Sequence, residues 1–250
     1  MLYSNVKAVI PARFDSTRLP GKPLLELNDK PVFWHVVQRV LESGMLLNDI
    51  VLATDDVRIE AKAQELNIPV FMTSKEHVSG TDRVNEVANA LGWEDDTLII
   101  NVQGDEPLVP SSLIERLIDF SLANLIFGIT TAVSAINSIE EFNNPNIVKA
   151  IVGENNNALY FTRASAPFNR DDNKSTKLAY RHIGIYAYTK AMLNQFCQFP
   201  EALLENHEKL EQLRALSNGM SMGVIKLKKA PAHGIDTYED YLSIKKIMEQ

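Results

Sequence analysis

Short β-rich runs alternate with amphipathic helical patterns through the first half of the chain, and this alternation constrains the fold most. The strand-like runs are VKAVIPA, DIVLATDD, IPVFMT and TLIINVQGD. The helical patterns are PVFWHVVQRVLESG, which ends at Gly44, VRIEAKAQELN, TDRVNEVANALGW and PSSLIERLIDFSLAN. Strands separated by single helices imply right-handed crossovers and a sheet covered on both faces. The sequence therefore predicts a doubly wound α/β fold with a mostly parallel sheet.

After about residue 127 the pattern changes to strand-like runs with little helix between them: GITTAVSAI, IVKAIVGENNNALYFTRA and AYRHIGIYAYT. NNNA is typical of a hairpin turn, because asparagine tolerates the left-handed backbone that a tight turn needs. No long linker or repeat interrupts the chain, so we interpret residues 1–250 as a single domain with an antiparallel elaboration over roughly 128–190. Such an arm exposes strand edges unless another subunit covers them, so we expect a homodimer.

Composition excludes several classes of protein. The 250 residues carry a formal charge of −7, which argues against a general nucleic-acid binder, because such proteins need a basic face. The one cysteine, Cys197, allows no internal disulfide and is interpreted as a packing residue of a helix. No apolar stretch is long enough to span a bilayer, and the N-terminus lacks the pattern of a signal peptide. We therefore expect a cytoplasmic protein without membrane contacts.

The loop IPARFDSTRLPGKPL follows the first strand and concentrates positive charge on an acidic protein. Arg13, Arg18 and Lys22 stand there among prolines and a glycine, at a strand end where backbone N–H groups also point outward. The pattern is not a P-loop, because no glycine stands five residues before Gly21. Two interpretations remain open at this point, a binding loop for a polyphosphate and a solvated basic loop.

Two acidic segments suit a metal ion. In NVQGDEPLV, Asp105 and Glu106 end a strand and point to opposite faces, and Asp105 is the better candidate for Mg²⁺, which takes one or two carboxylates plus substrate phosphates. In APAHGIDTYEDY, Asp236 can supply the second ligand or cap the following helix, and Thr237 can take the capping role instead. For Asp105 the alternative is an acidic turn that ends a strand.

The segment MTSKEHVSGTDR contains a Ser–Gly–Thr turn that opens a helix, with Arg83 in the first turn. It suits recognition of a base or a phosphate, and it equally suits a plain helix start. Cations, a metal carboxylate and polar turns at the strand ends of one sheet are together what nucleotidyl transfer requires.

The motifs resemble those of a known family. IPARFDSTRLPGKPL, ATDD, SGTDR, NVQGDEPL, YFTRA, RHIGIYAY, HEKLEQLRAL and GIDTYEDY are similar, in this order, to the motifs of the 3-deoxy-manno-octulosonate (Kdo) cytidylyltransferases. The match covers essentially the whole chain. The first motif is shared with sugar nucleotidyltransferases more broadly, whereas RHIGIYAY with EQLR is specific to this branch.

The resemblance implies a nucleotide-diphospho-sugar transferase-like fold and an enzyme that uses CTP, Kdo and Mg²⁺ to make CMP-Kdo and pyrophosphate for lipopolysaccharide biosynthesis. It places on the triphosphate Arg13, Arg18 and Lys22. It places on the metal Asp105 and Asp236. It implies that the nucleotide is also bound by Ala12, and it places around the cytidine Thr73, Ser79, Gly80, Arg83 and Gln103. It places around the sugar Arg163, His182, Tyr186, Glu211 and Gln212. It also implies a dimer built through the antiparallel arm.

Several sugar-side residues have a second interpretation. A cation such as Arg163 suits the carboxylate of an acid sugar. His182 and Tyr186 share one face of a strand, which serves packing as well as binding. HEKLEQLRAL is in itself typical of an exposed, salt-bridged helix.

Departures from the family pattern lie toward the sugar side, at Ala166, Phe168, Asn169, Asn206, His207 and His233. An 8-amino Kdo analogue or another acid sugar therefore remains an alternative substrate. Further alternatives are a cytidylyltransferase for sialic acid or a polyol phosphate, and a non-catalytic nucleotide-binding regulator. A dinucleotide-dependent dehydrogenase is disfavoured, because no G-x-G-x-x-G follows the first strand.

Overall fold

The computed structural model describes residues 3–16, 18–77 and 79–249. The chain forms two compact units, one of Met1–Ile118 with Pro231–Gln250 and one of Asp119–Ala230. That they act as one domain stays a prediction. Throughout the described ranges, no helix has the length and apolar character needed to cross a membrane.

The elements follow the order expected from the alternating pattern. The strands are β1 (Val6–Pro11), β2 (Glu26–Leu27), β3 (Lys30–Pro31), β4 (Ile50–Thr54), β5 (Val70–Met72), β6 (Leu98–Asn101), β7 (Ile129–Ala135), β8 (Lys149–Val152), β9 (Ala158–Thr162), β10 (Tyr180–Thr189) and β11 (Met222–Leu227). The helices are α1 (Val32–Glu42), α2 (Val57–Glu65), α3 (Gly80–Ala90), α4 (Ser111–Ala123), α5 (Ile139–Asn143), α6 (Lys190–Gln198), α7 (Leu203–Glu208), α8 (Gln212–Ser217) and α9 (Tyr238–Met248).

The first unit is built on a parallel sheet in the order β6-β1-β4-β5. Every residue of β4 and β6 is buried, as expected for strands covered on both faces. Helix α1 buries Val36 and Val40 at helical spacing, and the chain leaves the helix at Gly44, whose φ of 89° suits only a residue without Cβ. The predicted strands and helices of this half are confirmed.

A small apolar cluster fixes the C-terminal segment of the first unit. It contains Leu27 of the β2–β3 hairpin, Val32 of α1, and Ile235, Tyr241 and Ile244. The hydroxyl of Tyr241 also donates to the carbonyl of Glu26 (2.8 Å). This packing places the segment before α9, with Asp236, beside the chain that leads into the hairpin.

The second unit carries the expected antiparallel elaboration. β10 pairs antiparallel with β7 and β8, β8 pairs antiparallel with β9, and β11 runs parallel to β7. Between β8 and β9, Asn155 and Asn156 have φ values of 57° and 59°, which confirms the predicted turn. The use of this arm in a dimer stays a prediction.

The segment HEKLEQLRAL is not one exposed helix, and that interpretation is wrong. Helix α7 ends at Glu208, Lys209 adopts a left-handed conformation (φ 53°), and α8 begins at Gln212. Leu210 and Gln212 are buried. The break at Lys209 allows Leu210, Leu213 and Ala215 to be buried, whereas one exposed helix would leave such apolar side chains in water.

Candidate active site

The basic loop after β1 is held at its base by backbone hydrogen bonds. The carbonyl of Phe14 accepts from the N–H of Ser16 (2.9 Å) and of Gly21 (2.8 Å), which closes the loop. Gly21 has φ 72°, and a Cβ there would lie 3.0 Å from the ring of Phe14. The position therefore requires glycine on both conformational and steric grounds. Thr17 lies outside the described residues.

A stacked arginine covers the same aromatic ring. Cζ of Arg58 lies 3.3 Å from the ring centroid of Phe14. Asp56 holds this guanidinium, with Nη2 of Arg58 2.6 Å and Nε 2.9 Å from its carboxylate oxygens. The guanidinium beside Asp56 lowers the pKa of that carboxyl and raises the pKa of Arg58. Phe14 and Arg58 thus fix the loop's shape, a role that the sequence analysis missed.

Lys22 joins the two aspartates that the sequence predicts as metal ligands. Its Nζ pairs with Oδ2 of Asp105 and lies 3.3 Å from Oδ1 of Asp236 and 3.0 Å from the carbonyl of Ile235. The N–H of Ile235 in turn donates to the carbonyl of Asp105 (2.8 Å). Asp105 and Asp236, 131 positions apart by their numbers, therefore converge on one ammonium group.

Arg18 reaches the same aspartate from the solvent side. Its Nη2 lies 2.9 Å from Oδ2 of Asp236, and its side chain is 64% exposed. The hydroxyl of Thr237, not Asp236, caps α9 by accepting from the N–H of Asp240. The carboxylate of Asp236 is therefore directed to the cations. Of the two residues that the sequence offered as the helix cap, Thr237 is the one that takes this role.

These groups line a cleft of about 310 Å³. The predicted residues that line it are Ala12, Arg13, Arg18, Lys22, Gly80, Gln103, Asp105 and Asp236. Gly104 also lines the cleft, and a Cβ at this position would be 2.6 Å from the carbonyl of Pro11. The ends of β1 and β6 approach this closely only because position 104 has no side chain.

Three residues predicted around the cytidine do not line this cleft within the described ranges. Ser79 caps α3 by accepting from the N–H of Asp82 (3.1 Å). Arg83 is fully buried, where it pairs with Asp55 (2.7 Å) and donates to the hydroxyl of Thr73. Ser79, Arg83 and Thr73 therefore all have structural partners, and their contact with a base stays a prediction.

The cleft also suits a divalent cation. Two carboxylates from distant segments already hold one positive group, and Mg²⁺ needs one or two carboxylates together with phosphate oxygens. No group of three or more His, Cys, Asp and Glu side chains with metal-binding geometry occurs in the part of the chain that the structure describes. Asp105 and Asp236 thus fit a metal that a substrate helps to bind.

His182 and Tyr186, of the second unit, lie together on β10. Their ring centroids are 5.6 Å apart, although the register of β10 against β7 shifts between Ile183 and Tyr186. Nε2 of His182 lies 3.0 Å from Oγ1 of Thr131, and the ring of Phe161 packs against its edge. Burial of the imidazole lowers the pKa of His182 to about 4, so the ring is neutral near pH 7.

Arg163, at the end of β9, is held by backbone carbonyls. Nε donates to the carbonyl of Glu208 (2.7 Å), and Nη1 donates to that of Pro145 (2.9 Å). Glu211 precedes α8 and Gln212, which is buried, begins it. Arg163 and Glu208 thus meet at the turn after α7, a relationship that sequence spacing does not reveal.

Comparisons with known proteins find similar sequences over nearly the whole chain. The family model described as cytidylyltransferase matches residues 7–226. The chain is 42% identical over 248 residues to 3-deoxy-manno-octulosonate cytidylyltransferase 2 of Paraburkholderia phytofirmans, a match that covers 98% of this chain and 94% of the relative. It is 42% identical over 249 residues to the 3-deoxy-manno-octulosonate cytidylyltransferase of Cellvibrio japonicus, which covers 96% and 97% of the two chains.

A solved structure is similar over nearly its whole length. It is that of CMP:2-keto-3-deoxy-manno-octonic acid synthetase complexed with CTP, with a TM-score of 0.91, 36% identity and 99% of each chain covered. A cytidylyltransferase from Leptospira borgpetersenii has a TM-score of 0.63 at 19% identity and shares the fold. The fold prediction is confirmed, the protein is a nucleotidyltransferase, and the chain belongs to the 3-deoxy-manno-octulosonate cytidylyltransferase family.

Proposed function

We propose that this enzyme transfers CMP from CTP to 3-deoxy-D-manno-octulosonate and releases pyrophosphate. The observation that carries the proposal is the convergence of Lys22, Asp105 and Asp236 in a cleft lined by Arg13 and Arg18. Relatives at 42% identity over nearly the full chain are named for this activity. The structural relative named for CMP-Kdo synthesis holds CTP.

The reaction is an in-line displacement at the α-phosphorus of CTP. The anomeric hydroxyl oxygen of the sugar forms a bond to this phosphorus, the bond to the oxygen bridging to the β-phosphorus breaks, and pyrophosphate leaves. The hydroxyl proton passes to a base or to solvent. Arg13, Arg18 and Lys22 offset the negative charge that moves onto the leaving pyrophosphate.

Mg²⁺ is part of the proposal. Asp105 and Asp236 would hold it, and it would offset charge on the triphosphate oxygens and favour ionisation of the attacking hydroxyl. The ammonium of Lys22 would then leave the carboxylates for a phosphate, a movement that the flexible four-carbon stem of a lysine allows.

We assign the acid sugar to the second unit's polar groups. Arg163 suits the carboxylate, and neutral His182 with Tyr186 suits the hydroxyls. Glu211 and Gln212 complete the proposed set. The enzyme's place in lipopolysaccharide biosynthesis, a cytoplasmic location and a homodimer are further parts of this proposal and rest on the family resemblance.

Pyrophosphate release tests the function directly. The protein is incubated with CTP, Mg²⁺ and one acid sugar at a time: Kdo, 8-amino-8-deoxy-Kdo and sialic acid. We expect release with Kdo and none without sugar. Faster release with the amino analogue would identify this analogue, and not Kdo, as the preferred substrate. Release with sialic acid alone would overturn the octulosonate assignment. Nucleotide binding without release from any sugar would favour a regulator.

A further inference from the structure

The side chain of Glu208 is the centre of a set of contacts at the end of β9. One carboxylate oxygen accepts from the hydroxyl of Thr162 (2.7 Å), and the other accepts from the backbone N–H of Arg163 (2.7 Å). Burial alone would raise the pKa of Glu208, but these hydrogen bonds and the nearby guanidinium outweigh it and lower the pKa. Glu208 is therefore ionised near pH 7 and holds the chain at the position from which Arg163 projects.

The guanidinium of Arg163 is fixed by the same turn. Its Nε donates to the carbonyl of Glu208 (2.7 Å), and Nη2 lies 3.4 Å from the carbonyl of Lys209. The left-handed backbone of Lys209 (φ 53°) turns these two carbonyls toward β9. A guanidinium has five N–H donors. With Nη1 directed to Pro145 and Nη2 to Lys209, one N–H on each terminal nitrogen has no acceptor among the described residues and can meet an anion.

A buried lysine supports the third carbonyl. Nζ of Lys149 donates to the carbonyls of Asn144 (2.9 Å) and Ile147 (2.7 Å), on either side of Pro145. The residue has no exposed surface, and burial followed by the positive charge of Arg163 lowers the pKa of Lys149. A buried charge needs hydrogen bonds to offset the loss of water, and the two that Lys149 makes hold the loop that carries Pro145.

We propose that Glu208 is a positioning residue that orients Arg163 toward the carboxylate of the acid sugar. The inference rests on the proposed function, because it needs a substrate with a carboxylate. A planar guanidinium recognises a carboxylate through two parallel N–H groups, so its orientation decides the strength of the contact. Glu208 sets that orientation through its carboxylate and its own carbonyl, without touching the substrate.

Glu208→Ala is the variant that tests the proposal. We expect the KM for the acid sugar to rise between about tenfold and about a hundredfold, because misplaced binding groups lose that much. The KM for CTP stays within about twofold of the wild-type value. Glu208→Gln keeps an oxygen that accepts from Thr162 or Arg163, so we expect it to restore most of the loss.

A substrate without the negative charge separates positioning from general damage. The C1 carboxamide of the same sugar is compared with the acid as a ligand by calorimetry. We expect the wild type to bind the acid more tightly than the carboxamide. In Glu208→Ala the ratio of these two affinities should fall toward one. If the role of Glu208 were purely structural, Glu208→Ala would lower the affinity for both ligands equally. That result would overturn the proposal.

A double-mutant cycle with Arg163→Ala gives the second criterion. If Glu208 acts through Arg163, Glu208→Ala adds little further loss in the Arg163→Ala background. Full additivity would contradict the proposal. Asn218→Ala is the control for the loss of a polar side chain in the second unit, since Asn218 donates to the carbonyl of Arg214 (2.8 Å).

The two proposals fail in different measurements. No turnover of any acid sugar by the wild type would overturn the proposed function and this inference with it. Wild-type turnover with an unchanged acid preference in Glu208→Ala would overturn the inference alone.

Discussion

The ammonium group of Lys22 lies 3.3 Å from Oδ1 of Asp236 while it also pairs with Asp105. Only 13% of the lysine side chain is exposed. It therefore sits between the two carboxylates that suit a metal ion, and it competes with any cation for them.

Lys22→Met removes this competitor. We expect the nucleotide-free protein to bind Mn²⁺ roughly fivefold more tightly, corresponding to an ion pair of about 1 kcal/mol. Electron paramagnetic resonance titration of Mn²⁺ measures this without turnover. Lys7→Met, which breaks the pair of Lys7 with Asp49 (2.5 Å), is the matched control and leaves Mn²⁺ affinity unchanged. Weaker Mn²⁺ binding by Lys22→Met would contradict the competition.

Asp105→Ala should lower kcat by at least roughly a hundredfold, because one preorganised electrostatic group at a reacting centre is worth about that much. Circular dichroism and thermal unfolding show whether the fold persists. The neighbouring Glu106→Gln is the control for a lost carboxylate at the same strand end. If Asp105→Ala kept its activity, Asp105 would not be a metal ligand.

Arg18→Ala should weaken CTP binding by about tenfold, because it removes a charge-assisted contact from an exposed position. The KM for the acid sugar should change much less. Calorimetric titration with CTP and steady-state kinetics with varied sugar provide the comparison, with Arg39→Ala as a surface control. The opposite pattern would assign the basic loop to the sugar.

The folding stability should depend on pH through His182, whose pKa falls from 6.5 to about 4 on folding. Well above pH 6.5 the ring is neutral in both states, so the stability does not depend on pH through His182. As the pH falls from 6.5 to 4, the unfolded state takes up a proton that the folded state does not, so stability is lost, by at most about 3 kcal/mol.

Urea unfolding of wild type and His182→Gln at several pH values between 4 and 8 measures this effect. The difference between their free energies of unfolding should be constant above pH 7 and should narrow toward pH 4. His35 has its pKa lowered by burial too, so the difference between the proteins is the quantity to compare. A constant difference at every pH would contradict a neutral His182.

Periodicity and turn chemistry were enough to predict the elements. The valines of α1, the stop at Gly44, the turn at Asn155 and the cap at Thr237 follow from local rules, and each is confirmed. Such features depend on residues a few positions apart, so a single sequence contains the whole signal.

Contacts between distant segments were not predictable in this way. Motifs identified Lys22, Asp105 and Asp236 one by one, but their meeting depends on how Ile235 packs. Phe14 with Arg58 and Glu208 with Arg163 gave no local signal at all. Lys149 did give a local signal, since a lysine inside the apolar run IVKAIV is unusual. The structure shows that this lysine is fully buried, like its apolar neighbour Ala150.

The lysine between the aspartates has a consequence for how substrate arrives. The chain supplies the two aspartates with their own counter-ion, so any cation that binds these carboxylates replaces the ammonium of Lys22 and does not meet two unpaired negative charges. Few dissolved ions are then taken up or released when the nucleotide binds. Affinity for nucleotide consequently varies less with ionic strength than the number of charges around the cleft suggests.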